Sequence, residues 1–413
     1  GIFADEFFED SFEAEREGYN YFKSSVPSLV SNDALVVTTP DESTQVTISS
    51  VLSSEKYGKW APKHPENAKL QKLYKQPVEV TVTVLGKGVE PKPDPAAQWE
   101  RVSGKDRYDT MKAIADEFGA DGCETVIVAS GKNFPDAMVA NGLAGFYNSP
   151  VILVGDSYDG TQAQSTIKSL NAKNVIIIGG EAAVDKTVAD QMKAEGLNVD
   201  RISGATRVET SIAVYNYAVK AGKTWGDTAI VAGGKTFADS LSISPYSYAA
   251  HAPILLTNNN GELDSNALAT VRNFDKVLIV GGSASVSTKV EQKLNGKSVY
   301  RIAGKTRYET SSMVAHWETG LYSGVNVTPS VKLSYQSTAV TSGANFPDAL
   351  AGGALMGKEK GVLLLVEESK TGRVSMEENI EANAGDIVNA RVFGGTAAVS
   401  DNMKKDLDGL LEK

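Results

Sequence analysis

Six arginines stand at matched places in this chain: Arg101 with Arg107, Arg201 with Arg207 and Arg301 with Arg307. A guanidinium is a flat, permanently charged fork that fits carboxylate or phosphate oxygens. Each pair is followed by a carboxylate in a recurring block: Asp136 in GKNFPDAM, Asp239 in GKTFADSL and Asp348 in GANFPDAL. Two readings stay open. In one, each copy closes an ion pair of its own, Arg107 with Asp136, Arg207 with Asp239 and Arg307 with Asp348. In the other, Arg107, Arg207, Arg307, Lys132 and Lys235 hold an anionic ligand. Asn133 and Asn345 then donate to its oxygens, and the three aspartates line the same rim. Tyr108 and Tyr308 suit the face of a sugar, but the second copy has Val208 there.

Reaction chemistry finds no comparable pattern. The three histidines, His64, His251 and His316, fall in different segments and in no repeated block. No H-E-x-x-H, G-x-S-x-G or Walker A sequence occurs. The pairs Gly179-Gly180, Gly281-Gly282 and Gly394-Gly395 follow apolar runs, but they lack the G-x-G-x-x-G spacing with which backbone approaches a pyrophosphate. They read as tight strand-to-helix turns. No catalytic residue, metal or cofactor is therefore expected. The lone Cys123 excludes an internal disulfide and reads as a small buried hydrophobe.

The elements that must position these side chains come in three copies, whose starts RVSGKDRYDT, RISGATRVET and RIAGKTRYET lie about 100 residues apart. A unit of that length can bury its own core. Four blocks keep their order: the arginine opening, the aspartate block, an apolar strand (PVILV, PILLT, GVLLLV), and IIIGGEAAV, LIVGGSASV or RVFGGTAAV. Apolar strands alternating with amphipathic helices predict an α/β fold with parallel sheets covered on both faces. In the first copy the strands are ERVSG, TVIVAS, VILVG and NVIIIGG; the helices run over 109–118, AMVANGLAGF, 161–170 and 185–195. The aspartate blocks fall at helix starts, where Pro135 suits the first turn and a carboxylate meets the helix dipole. The third copy carries extra length around GLYSGVNVTPSVKLSYQS, read as an extended loop or hairpin.

Of 413 residues, 41% are hydrophobic and 22% charged, an ordinary globular composition. The net charge of −10 divides equally between residues 1–98 and the repeats, which argues against nucleic acid as partner. No apolar run is long enough to span a membrane. The first 98 residues belong to no repeat. DEFFEDSFEAEREGYNYF reads as an amphipathic helix, DALVVTT, TQVTISSVL and VEVTVTVLG as strands, and 88–97 as a Pro-rich linker. The expected organisation is an all-β or α+β effector or spacer segment over 1–98, then modules at 99–199, 200–299 and 300–413.

The four-block order over residues 99–413 resembles the cell wall binding repeat 2 family, whose modules occur as triplets in Gram-positive surface proteins. The resemblance implies Toprim-like or flavodoxin-like modules packed as a pseudo-three-fold trimer. It implies a secreted protein at the cell wall or cell surface, held non-covalently by an anionic, teichoic-acid-like secondary wall polymer, with other surface-layer proteins as further partners. It also ties the apolar strands Ile152, Leu153, Val154; Ile254, Leu255, Leu256; and Leu363, Leu364, Leu365 to the trimer centre and to polymer attachment. Two other roles stay open: a wall-anchored peptidoglycan hydrolase or amidase with its catalytic part in or before residues 1–98, and an S-layer structural subunit. FADS in the second copy, and Ala344 and Gly361 in the third, leave open whether all three copies bind, one does, or a groove between copies does.

Overall fold

The computed structural model describes residues 22–24, 44–50, 79–84, 97–118, 122–134 and 136–411. The chain divides into two compact units, 1–95 and 96–413. In the first, strands β1 (Phe22–Ser24), β2 (Thr44–Ser50) and β3 (Glu79–Val84) form an antiparallel sheet in the order β1-β2-β3. Two of the expected strands thus form. The acidic helix, DALVVTT, the linker before Ala97, His64 and Pro135 lie outside the described residues.

The second unit contains three sheets of four parallel strands, one per lobe, as the repeats predict. Lobe 1 pairs β5 (Thr125–Ser130), β6 (Val151–Val154), β7 (Asn174–Ile178) and β8 (Asn198–Ile202) in the order β6-β5-β7-β8. Lobe 2 repeats this with β9 (Thr228–Ala232), β10 (Ile254–Leu256), β11 (Lys276–Val280) and β12 (Ser298–Ile302). Counted within a lobe the order is 2-1-3-4, the arrangement of flavodoxin-like sheets. The central strands, buried on both faces, are continuous apolar runs such as VIII and VLIV.

The fourth strand departs from the sequence reading. The strand that opens each copy does not join that copy's sheet. β8, from the second opening, pairs with β7 of lobe 1, and β12, from the third, pairs with β11 of lobe 2. The first opening, β4 (Trp99–Val102), travels furthest. It completes the sheet of lobe 3 beside β15 (Asn389–Phe393), β13 (Ser334–Ser342) and β14 (Gly361–Val366). Trp99 fixes it there, its indole N–H donating to the Leu407 carbonyl at 3.0 Å. A parallel ladder has no side-chain code for which sheet an edge strand joins, so periodicity could not show this.

The lobes close into a ring around small residues on the helices that follow the aspartates. Asn141, Ser244 and Gly353 each lie five residues after an aspartate and meet where the three helices converge. Asn141 and Ser244 are fully buried. One copy has an amide there, one a hydroxyl and one no side chain. A Cβ on Gly353 would stand 2.1 Å from Ser244 Oγ and 3.5 Å from Asn141 Oδ1. We expect Gly353→Ala to lower stability by about 1–3 kcal/mol, and Ser244→Gly, which removes both the Oγ and the Cβ that crowd it, to cost less in that chain than in the wild type. A double-mutant cycle on denaturant midpoints checks this; strict additivity of the two would refute the contact.

Candidate functional site at the lobe interfaces

Each opening builds one helix start. Asp106, Thr206 and Thr306 cap the helices Arg107–Glu117, Arg207–Lys220 and Arg307–Glu318. Thr110, Thr210 and Thr310 Oγ1 accept from the Gly104, Gly204 and Gly304 amides at 3.1, 3.0 and 3.0 Å. These bonds hold the turn that presents the second arginine, which explains the R-x-x-G-x-x-R-x-x-T spacing.

The two arginines of an opening have different tasks. Arg101, Arg201 and Arg301 donate to the carbonyls of Gly394, Gly179 and Gly281 at 2.8, 2.9 and 2.7 Å, so each secures the glycine turn of the sheet its strand has joined. Arg107 and Arg307 donate to the Gly131 and Gly343 carbonyls of their own lobes at 2.6 and 2.8 Å, and Arg207 donates to that of Gly234.

From there the second arginines reach across the interfaces. Arg107 lies 5.9 Å from the Phe346 ring centre, Arg207 6.0 Å from Phe134 and Arg307 5.4 Å from Phe237. The three phenylalanines meet one another with centroids 5.4, 5.8 and 6.1 Å apart. This cyclic exchange is the pseudo-three-fold arrangement itself. It also corrects the ion-pair reading: Arg207 acts on Asp136, Arg307 on Asp239 and Arg107 on Asp348, always between copies. Burial raises all three carboxyls despite the arginines. Asp239 and Asp348 are pushed up to about 6, and the neighbouring Thr210 and Ser285 hydroxyls moderate Asp136 and Asp239 respectively. The aspartates lie against the first glycine of each pair. A Cβ on Gly179, Gly281 or Gly394 would stand 3.0, 2.5 or 2.6 Å from the neighbouring Oδ2.

The other expected residues spread out. Lys132 pairs with Asp156, and Lys235, Asn133 and Asn345 are exposed. They do not converge into one cationic cluster with the arginines, which are held to carbonyls. The apolar strands are wholly buried, with helices of a neighbouring lobe against them. Strand register pairs Leu153 with Ala129, Leu256 with Ala232 and Leu365 with Thr341. The counterpart of Ile254–Leu256 is therefore Val151–Leu153, one residue earlier than the sequence comparison suggests. His251 stacks on Phe146 at 4.3 Å, and Cys123 is buried with its thiol donating to the Thr125 carbonyl. Among the described residues no cluster of His, Cys, Asp or Glu has the make-up of a metal site, and no helix is long and apolar enough to cross a membrane.

One interface opens into a cleft of about 720 Å³. Lobe 1 supplies Asn133, Asp136, Gly180, Ala182 and Ala183. The facing wall is the turn Gly204–Glu209 and the loop Thr257–Asn259, with Asp264. Of the expected site residues it gathers Asn133, Asp136 and Arg207. Sequence reasoning missed Asn258, Asn259 and the part played by Val208, although the loop after the apolar strand differs visibly between copies: Gly155-Asp156, Asn258-Asn259, Glu367-Glu368.

Residues 101–189, 201–291 and 301–404 each match the family described as Cell wall binding domain 2. The chain belongs to that family. It is 28% identical over 318 residues to the N-acetylmuramoyl-L-alanine amidase LytC of Bacillus subtilis (strain 168), covering 75% of this chain and 58% of that protein. It is 32% identical over 276 residues to the amidase enhancer of the same organism, covering 67% of this chain and 36% of that one. The chain thus spans little more than half the length of the first relative and about a third of the second. Two solved structures share the fold, Cwp8 and Cwp6 from Clostridium difficile. Their TM-scores are 0.63 and 0.66 at 23% and 17% identity, covering 98% and 91% of this chain and 66% and 67% of theirs. The cell wall binding domain 2 lobes are binding modules of a wall-associated surface protein.

Proposed function

We propose that the chain is a secreted, non-catalytic anchor that holds a surface protein to the Gram-positive wall by gripping a teichoic-acid-like secondary wall polymer at its lobe interfaces. Residues 99–199, 200–299 and 300–413 serve as the binding modules, and residues 1–98 as effector or spacer. The observation that carries this reading is the cleft between lobes 1 and 2, where Asn133, Asp136 and Arg207, each from a repeated block, line one concave surface. The remaining expected contacts, Arg107, Lys132, Lys235, Asp239, Arg307, Asn345 and Asp348, take their proposed role from equivalent places on the other interfaces. Three similar interfaces on one scaffold favour avidity over single-site affinity.

The test is sedimentation of the full chain with purified Gram-positive walls before and after the secondary polymer is extracted. Retention on intact walls and its loss on stripped ones is expected. Equal retention on both would reject the polymer as the partner. The two Bacillus subtilis relatives favour one second reading, a wall-anchored peptidoglycan hydrolase with its catalytic part in or before residues 1–98. Release of soluble peptidoglycan fragments by the chain would establish it.

A further inference from the structure

Resting on that reading, we infer that the cleft between lobes 1 and 2 is a saccharide seat, framed by Asn258 and Asn259, and that it reads the hydroxyls of the polymer's sugars, not its phosphates. The three interfaces are built alike but filled differently. In lobe 1 the Tyr108 ring lies across Gly131 and reaches Gly155; Cβ atoms there would meet it at 2.5 and 3.0 Å. In lobe 3 the Tyr308 ring lies equally close over Gly343, at 2.4 Å from a Cβ there, and its hydroxyl faces Glu367. Lobe 2 has Val208 at this place, lining the cleft. In lobe 2 the loop backbone takes the place of the ring: a Cβ on Gly234 would stand 2.3 Å from the Thr257 carbonyl oxygen, and Val208 is buried.

The loop beside that space differs in the same lobe. Strand register sets Gly155-Asp156, Asn258-Asn259 and Glu367-Glu368 at one position. Lobes 1 and 3 put carboxylates there, Asp156 paired with Lys132 and Glu368 accepting from Ser400. Lobe 2 alone offers two amides. Asn258 Oδ1 is held by the Asn260 and Glu262 amides at 2.9 and 3.1 Å, which fixes its side chain in place.

The charges of the cleft choose between sugar and phosphate. Glu209 Oε2 accepts from the Ala205 and Thr206 amides at 2.6 and 3.2 Å, and Asp264 caps a helix through the Ala267 amide at 2.8 Å. These carboxylates and Asp136 face one guanidinium, Arg207, already bonded to a carbonyl. A phosphodiester entering the cleft meets net negative charge. A run of sugar hydroxyls, each donor and acceptor at once, meets amides and carboxylates that pair with both roles. The volume falls within the range of small-ligand sites, about 300–1,000 Å³, enough for a short stretch of glycan.

The full chain is titrated with two probes: secondary polymer extracted from Gram-positive walls, and the phosphate-free repeat-unit oligosaccharide that hydrofluoric acid liberates from it. Wild type is expected to bind both, with little salt dependence for the second. Val208→Tyr, which installs the residue of the other lobes, is expected to weaken both by about tenfold or more. Asn258→Ala with Asn259→Ala should do likewise, and this variant decides the matter if Val208→Tyr fails to fold. Wild-type affinity in the amide variant, or binding of the phosphate-bearing probe alone, would overturn the inference while leaving the anchor reading intact. No binding of either probe by wild type would overturn both.

Discussion

Replacing Glu318 by glutamine stabilises the repeat region at pH 8 and changes it little at pH 4. Glu318 ends the helix Arg307–Glu318 and is fully buried, with neither carboxylate oxygen hydrogen-bonded. The extra segment of lobe 3 seals it: the Trp317 indole donates to the Val327 carbonyl at 2.7 Å, and the Leu333 amide to the Glu318 carbonyl at 2.8 Å. The buried Tyr335 ring stands nearby, and no cation compensates the carboxylate. Burial alone drives its pKa well above the ordinary value of 4.5. The folded chain therefore keeps a proton that the unfolded chain releases. Stability from this group is fully present below the unfolded pKa and falls as pH rises, by about 1.4 kcal/mol per pH unit, until the folded carboxyl ionises. Glutamine has no such equilibrium. Asp239 and Asp348, also raised, are common to both chains and cancel in the difference. Denaturant melts across pH 4–8 read the gap directly; parallel stability curves for the two proteins would contradict the assignment.

The glycine pairs give the second large effect, and one that discriminates between neighbours. Gly281 has φ +118°, where an L side chain is strained, and its added Cβ would meet Asp239 Oδ2 at 2.5 Å. Gly282 meets nothing within 4 Å. Gly281→Ala is expected to cost about 2–4 kcal/mol, and Gly282→Ala to stay within about 0.5 kcal/mol of wild type. Gly394, at φ +109° and 2.6 Å from Asp348 Oδ2, should behave like Gly281. Urea midpoints of the single variants settle this, and equal losses at Gly281 and Gly282 would remove the aspartate contact as the cause.

Much of this architecture was legible because the repeats state it three times. Apolar runs such as NVIII and KVLIV became central strands, and the first opening became a short strand followed by a helix, Arg107–Glu117 where 109–118 was expected. What escaped was everything that depends on which copy answers which. A spacing of Arg107 to Asp136 looks the same whether the pair closes within one lobe or passes from lobe to lobe. The placing of β4 in lobe 3 has the same cause, since a four-residue parallel strand carries no address. Val208 was visible as a departure from the pattern, one that left equal binding by the three copies open. Its consequence appeared only with Asn258 and Asn259 beside it.

The placing of β4 bears on how the molecule carries a load. Residues preceding Ala97 join the ring through this strand, whose neighbour β15 runs parallel to it. Tension along that stretch pulls β4 lengthwise, so its ladder bonds and the Trp99 anchor share the strain together and cannot be peeled apart one at a time. Because β4 opens the first copy but sits in the last, a tug there also draws on the contact that shuts the ring. Such a fastening withstands a lengthwise pull on β4 better than a sideways one.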